Sequence, residues 1–270
     1  INLSGVEDGE ALLSPWEIEN QKALDVMKSV ARGTNYWLRM KPCLSYLSFD
    51  GENDYVEVIL SSFALDSFTV EIMLKDYKHD PNQYERHIGL YDSATNRMWN
   101  LLTSRYDPHK AAFEVWRSDG TSFWLYGSPT PLNQWIVYHV TFDGTTYRLY
   151  ENSSLVDTVD DEPPRDLGEY HLYIGGRYIY DNAWDFIAYT RIYNRALSES
   201  EIQHNYLNPM SPITDGLVLW LNFHKVQDNV VPDLSGNGND GTIYGASQGY
   251  EVYPKYANSF LMEFKPKVIA

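Results

Sequence analysis

Apolar and polar positions along the chain follow two different periods. In the first 42 residues, Ser14-Pro15-Trp16-Glu17 places a capping residue, a proline at the first helical position and an early acid in succession. Ile18, Ala23, Leu24, Met27, Val30 and Ala31 then recur at roughly helical spacing until Arg32-Gly33. The spacing predicts an N-terminal helical arm over 1–42 that must bury its apolar face on something. From residue 46 the pattern changes to short alternating runs separated by Gly, Asn, Asp and Pro turns. Strands are expected at 46–49, 55–59, 67–74, 87–91, 112–116, 123–126, 135–142, 147–151, 172–174 and 186–193, with Asp143-Gly144-Thr145-Thr146 as a tight turn inside a meander. Ser198 caps a short helix stopped by Pro209; strands follow at 216–223 and 242–244, flanking a Gly/Asn-rich loop at 233–241. These elements predict an all-β fold, an antiparallel two-sheet sandwich or jelly roll over 43–270, with the arm and one short helix added.

Composition narrows the partners. Aromatic residues make up 15% of the 270, including 22 Tyr and 8 Trp, a bias that suits pleated surfaces and broad contact areas. A formal net charge of −16 has the wrong sign for phosphate backbones or anionic leaflets, so nucleic acid and membrane insertion are not expected. It does offer carboxylates to hard cations. The single cysteine, Cys43, excludes an intramolecular disulfide framework, and no apolar run approaches the ~20 residues of a membrane span. No signal peptide is evident at the amino terminus, and the start at Ile1 fits either a processed precursor or an incomplete chain. Sequons at Asn2 and Asn152 suit an extracellular, cell-surface or virion-surface setting.

Five segments, taken together, resemble laminin G-like domains of the concanavalin A-like lectin/glucanase superfamily. They are Leu47-Ser48-Phe49-Asp50-Gly51-Glu52-Asn53-Asp54-Tyr55-Val56, Phe68-Thr69-Val70-Glu71, the hairpin at 135–151, Arg191-Ile192-Tyr193-Asn194-Arg195-Ala196-Leu197-Ser198 with its helix, and 215–223 with the loop at 233–241. The resemblance implies the same sandwich. Its order is unusual, because the segment that normally opens such a domain here follows the helix that closes it. The strand at 216–223 could insert into its own sandwich as a permutation, begin a second unit, or be donated to a neighbouring subunit. As both its faces are apolar, it is expected to be an inner strand paired on both sides.

Chemistry is sparse. Glucan-hydrolysing relatives pair two carboxylates about 5 Å apart, whereas Glu71 stands alone, so no catalytic residue is expected and Glu71→Gln should leave the protein almost unchanged. No serine elbow, phosphate loop or zinc-protease motif occurs, and the seven histidines lie at no ligand spacing. Asp50, Asn53 and Asp54 form an oxygen-rich turn that would suit calcium, which resembling domains often carry at a sandwich rim, or would equally make an ordinary Asx turn. The acidic pair that the resemblance would place before Arg191 is replaced by Ala188-Tyr189. Loop aromatics Trp99, Tyr106, Trp124, Tyr178, Tyr180 and Trp184 are either core or platforms for sugars. The densest group, Arg177, Tyr178, Tyr180, Asp181, Asn182 and Trp184, is the expected ligand site for a glycan or a protein. The function expected is a non-catalytic binding or adhesion module. Alternatives are a structural subunit of a virion or filament, with homo-oligomers or polymers built by strand donation, and a degenerate glycoside hydrolase.

Overall fold

The computed structural model describes residues 10–13, 36–94, 96–106, 108–176, 182–251 and 259–266, with side chains described only from 44 to 251 within these segments. The arm helix expected at 14–33 lies outside the described residues. Two compact units are present, 1–45 with 249–270, and 46–248. In the first, β1 (Glu10–Leu13), β18 (Ser259–Pro266) and the early part of β2 (Tyr36–Ser48) pair antiparallel in the order β1, β18, β2. The tail that sequence assigns to the sandwich therefore groups with the N-terminal residues, and 36–42 are strand, not part of a helical arm.

The second unit is the sandwich. One sheet runs β13 (Asp185–Tyr193), β4 (Phe68–Asp76), β9 (Ile136–Phe142), β10 (Thr146–Glu151) and β11 (Ser154–Asp160). The end of β2 and β14 (Leu217–Asn222) pair with the free side of β13. The other sheet runs β15 (Val230–Val231), β16 (Gly241–Tyr244), β3 (Tyr55–Leu60), β12 (Tyr170–Ile174), β5 (Glu85–Tyr91), β6 (Arg97–Thr103), β7 (Lys110–Trp116) and β8 (Ser122–Pro129). A last short strand, β17 (Ser247–Glu251), ends the unit. Alternation decides which side chains turn inward: in β3, Val56, Val58 and Leu60 are buried while Tyr55, Glu57 and Ile59 face out. Phe49, Val56, Val70, Ile72, Val140, Phe142 and Ile192 meet in the central cluster between the sheets, as their periodicity implies.

β4 is buried along its whole length, and on its outer side Asn205 of α1 (Glu199–Leu207) donates to the Glu71 carboxylate. A capping box starts the helix, with Ser198 accepting from Glu201 N and the Glu201 carboxylate accepting from Ser198 N. Thr69 on β4 ties down the approach by donating to Arg195 O and accepting from Leu197 N. Ile202 and Leu197 complete a small apolar cluster with Tyr150 and Tyr193.

β14 pairs with β13 of its own chain, Tyr189 to Asn222 through Tyr193 to Leu217, the arrangement expected of a permuted strand. Leu219, Leu221 and Phe223 enter the central core. The expected inner position is corrected, however, for β14 has a strand neighbour on one side only. Its other edge is met by the Gly/Asn-rich loop. Trp220 N donates to Asp233 Oδ1 (3.0 Å), Leu234 N donates to Trp220 O (2.8 Å), and Val218 O accepts from Ser235 Oγ, Asn237 Nδ2 and Asn239 Nδ2. Gly236 and Gly238, with φ of 88° and 77°, supply the left-handed backbone that turns the loop back on the strand. Side-chain amides and hydroxyls thus satisfy an edge that would otherwise template further pairing. Trp220, expected inside, is half-buried on the opposite face, with the Arg191 guanidinium 5.1 Å from its ring.

Candidate functional site

The outer face of the second sheet carries a row of aromatic side chains that the core does not use. On β8, Phe123 and Leu125 enter the core, so the alternation turns Trp124 and Tyr126 outward. Their rings lie 6.2 Å apart and nearly parallel, at 11°. Tyr84, just before β5, tilts against Trp124 at 5.9 Å and meets Tyr106 edge-on at 6.1 Å. A tight loop after β6 presents Tyr106: Ser104 Oγ accepts from Tyr106 N, and His109 N donates to Tyr106 O. Arg105 donates to the Tyr106 hydroxyl and sits 5.0 Å from the rings of both Tyr84 and Tyr106. Together Tyr84, Ser104, Tyr106, Pro108, Lys110, Trp124 and Tyr126 line a groove of about 490 Å³. Tyr106 and Tyr126 are 60% and 49% exposed, although each is a large aromatic that folding alone would bury.

The same face continues as polar groups and rings. Glu114, opposite Trp124 in register, accepts from Asn100 Nδ2 (3.2 Å) and pairs with Arg97 at 3.5 Å. Asn100 accepts in turn from the Tyr91 hydroxyl. Beyond it, Tyr173 meets Tyr91 edge-on and donates to Glu57, which also faces His171 at 3.0 Å. Tyr55 and Tyr244 close the row as a stacked pair at 4.4 Å. Planar rings flanked by amides and carboxylates can pack on the apolar face of a polyol ring while bonding its hydroxyls.

The ligand site expected from sequence is only partly in view. Arg177, Tyr178, Tyr180 and Asp181 lie outside the described residues. Asn182 is buried and donates to Glu52 O, and Trp184 covers Gly51, with Lys78 Nζ 4.1 Å from its ring. Both are occupied in holding the 50–54 turn. Tyr106 and Trp124 were visible as aromatic candidates. Tyr84 and Tyr126 were not singled out, although Trp124 and Tyr126 at i and i+2, between Phe123 and Leu125, are the signal of an aromatic outer face. Trp99, by contrast, is core.

At the proposed calcium turn, Asp50 Oδ1 accepts from Glu52 N (2.9 Å) and Asp54 Oδ2 accepts from Asp50 N (3.0 Å). Burial pushes the Asp54 carboxyl up, and its Oδ1 packs on Gly245, where any Cβ would strike it. Asp50 and Asn53 remain exposed. Glu71 is fully buried against Arg191 at 2.6 Å and is reached by no groove described above. A second set of possible metal ligands, Asp76, His87 and Asp185, is entirely buried between the sheets.

Among the described residues, no helix is long and apolar enough to cross a membrane. A search of the curated proteins finds no match to the chain. Among solved structures, a candidate carbohydrate-binding protein from Bacteroides ovatus ATCC 8483 superimposes on 77% of this chain at 17% identity and a TM-score of 0.59; the match spans 60% of that protein's length. The heptameric SAP-like pentraxin of Limulus polyphemus superimposes on 84% of this chain and 98% of its own, at 11% identity and a TM-score of 0.50. Both share the fold. The laminin G description of the concanavalin A-like lectin/glucanases superfamily matches residues 50–203, more than half of the sequence. With that match, the two antiparallel sheets and the terminal capped helix, the chain belongs to the laminin G family of the concanavalin A-like lectin/glucanases superfamily.

Proposed function

We propose that the chain is a non-catalytic carbohydrate-binding module that holds a glycan across the groove of Tyr84, Tyr106, Trp124 and Tyr126. The observation that carries this reading is the nearly parallel pair of half-buried Trp124 and exposed Tyr126, facing outward on a strand whose alternate residues are core. Sugar rings stack on such platforms, and Lys110, Ser104 and Arg105 stand beside them to reach hydroxyls. The carbohydrate-binding description of the Bacteroides ovatus neighbour supports the same ligand class. The burial and ion pairing of Glu71 support the absence of glycosidase chemistry. An extracellular or surface setting, on a cell or a virion, fits the acidic composition and the exposed Asn152 sequon.

Trp124→Ala is expected to abolish glycan-array binding and to weaken titrated affinity about 5–150-fold, since losing one stacked ring costs about 1–3 kcal/mol where aromatic stacking carries binding. Circular dichroism and melting should stay near those of the parent, because the ring faces outward. Unchanged affinity in that variant, or no glycan bound by the parent across a broad array, would overturn the proposal.

Calcium at Asp50, Asn53 and Asp54 is a separate proposal, supported by three oxygen donors within five residues, two of them exposed. Added calcium should then raise the melting temperature and chelator should reverse the gain. A melting curve indifferent to both removes the ion.

A further inference from the structure

At one end of the sandwich the register places Asp185 of β13 opposite Asp76 of β4, while His87 of β5 approaches from the facing sheet. All three are at most 1% exposed. His87 Nδ1 lies 2.6 Å from Asp185 Oδ2 and 3.8 Å from Asp76 Oδ1. The Thr103 hydroxyl, which lies 3.1 Å from Asp76 Oδ2, is also 2.9 Å from His87 Nε2. The imidazole proton can therefore sit on Nδ1, bonding Asp185, or on Nε2, bonding Thr103 and freeing Nδ1 as a ligand. Asp76 Oδ1 and Asp185 Oδ1 are buried without any hydrogen-bond partner among the described residues. The neighbouring pair, His79 and Glu85, satisfies itself: His79 Nε2–H donates to Thr130 O, and Nδ1 lies 2.9 Å from Glu85, whose other oxygen accepts from Asp80 N. His79 Nδ1 also lies 3.9 Å from Asp76 Oδ2, a weaker approach than its contact with Glu85.

Two desolvated carboxylates, each with one oxygen left unpartnered among the described residues, and an imidazole nitrogen present one ligand atom each inside 4.8 Å. They want a cation. We propose that His87 Nδ1, Asp76 and Asp185 bind one divalent first-row transition-metal ion of the zinc class, as a structural clamp between the two sheets. The imidazole selects against calcium and magnesium, which take oxygen ligands, and suits zinc, whose sites mix nitrogen and carboxylate donors. The Nε2–H bond to Thr103 is the outer support that orients a ligating histidine. Scattered spacing hides this set in the sequence, where the three residues are 11 and 98 positions apart and only strand register unites them.

The test uses the full chain. After loading with zinc and extensive dialysis, elemental analysis should find one ion per chain. Zinc, but not calcium or magnesium, should raise the melting temperature, and a strong chelator should lower it. Cobalt in place of zinc should give visible absorption. Thr103→Val, which removes the orienting bond while keeping all three ligands, should weaken zinc affinity about 10–100-fold; Asp185→Asn should abolish binding. If Asp185→Asn fails to fold, the stoichiometry and cobalt spectrum of the parent still decide. Substoichiometric metal after loading, with melting that responds to pH and not to zinc, would mean that the triad shares a proton instead, and the proposal falls. Glycan binding is read separately, so either proposal can fail without the other.

Discussion

Glu71→Gln is expected to lower stability by about 3–5 kcal/mol, the cost of removing one member of a buried ion pair. Sequence alone suggested a nearly silent substitution. The structure reverses that, because Glu71 Oε1 receives Arg191 at 2.6 Å and Oε2 receives Asn205 Nδ2 at 2.9 Å, all at zero exposure. Asn205 also donates to the Tyr193 hydroxyl and accepts from Ile213 N, and Arg191 reaches Pro209 O. Glu71 therefore joins β4, β13, α1 and the segment after the helix through one charge. Glutamine keeps the shape and an acceptor but leaves the Arg191 charge buried without a counter-ion. Thermal unfolding should show a fall of about 6–20 °C at the slope typical of a domain this size. A variant that melts with the parent would show that the pair contributes nothing.

The same group makes the loss dependent on pH. Burial alone would raise the Glu71 carboxyl, but Arg191, with His139 and Asn205, holds it at about 2 against an ordinary 4.5. A depressed acid stabilises the fold above its unfolded value and ceases to do so as the pH falls through the folded one. The parent should thus lose this contribution as pH drops from about 4.5 towards 2, while Glu71→Gln, lacking the carboxylate, should not. Urea unfolding of both proteins at pH 5 and pH 3 reads the difference: the gap between them should narrow at the lower pH.

A strand with strict alternation, such as β3, was legible from sequence, as was the capped helix, because each is decided by neighbours a few positions apart. β6 was not. Its Met98-Trp99 and Leu101-Leu102 pairs are buried on both faces around a register shift, so period two is lost. β11 hid for the opposite reason, as an exposed edge with almost no core signal. The site followed the same division. Tyr106 and Trp124 could be named as candidates, but their association with Tyr84 and Tyr126 depends on β5, β6, β7 and β8 lying in that order in one sheet. Local density of aromatics favoured 177–184 instead, where Asn182 and Trp184 serve the adjoining turn. Asp76, His87 and Asp185 carry no local signal at all. The 233–241 loop could be read as ordered, yet its use as a substitute strand edge required seeing which carbonyls its amides meet.

Truncation after Pro212 should give an insoluble product. It removes Leu219, Leu221, Phe223, Val231 and Ile243, all members of the central core. At about 1.5–3 kcal/mol for each large buried apolar side chain, these five contribute about 8–15 kcal/mol, comparable with the whole stability of an ordinary domain. The loss also bares the β13 edge beside β14 and the β3 edge beside β16, which are templates for aggregation once unpaired. The shorter truncation after residue 248 is the control: it removes β18 with the rest of 249–270 but leaves the compact unit 46–248 whole. That product should keep the sandwich's circular dichroism and cooperative melting. Supplying a separate peptide of residues 215–246 to the longer truncation should restore solubility, because β14, its capping loop, β15 and β16 form one contiguous complement to the remaining sheets. A folded, soluble monomer ending at Pro212 would show that the permuted strand is dispensable, and would remove the account of β14 as the strand that completes its own sandwich.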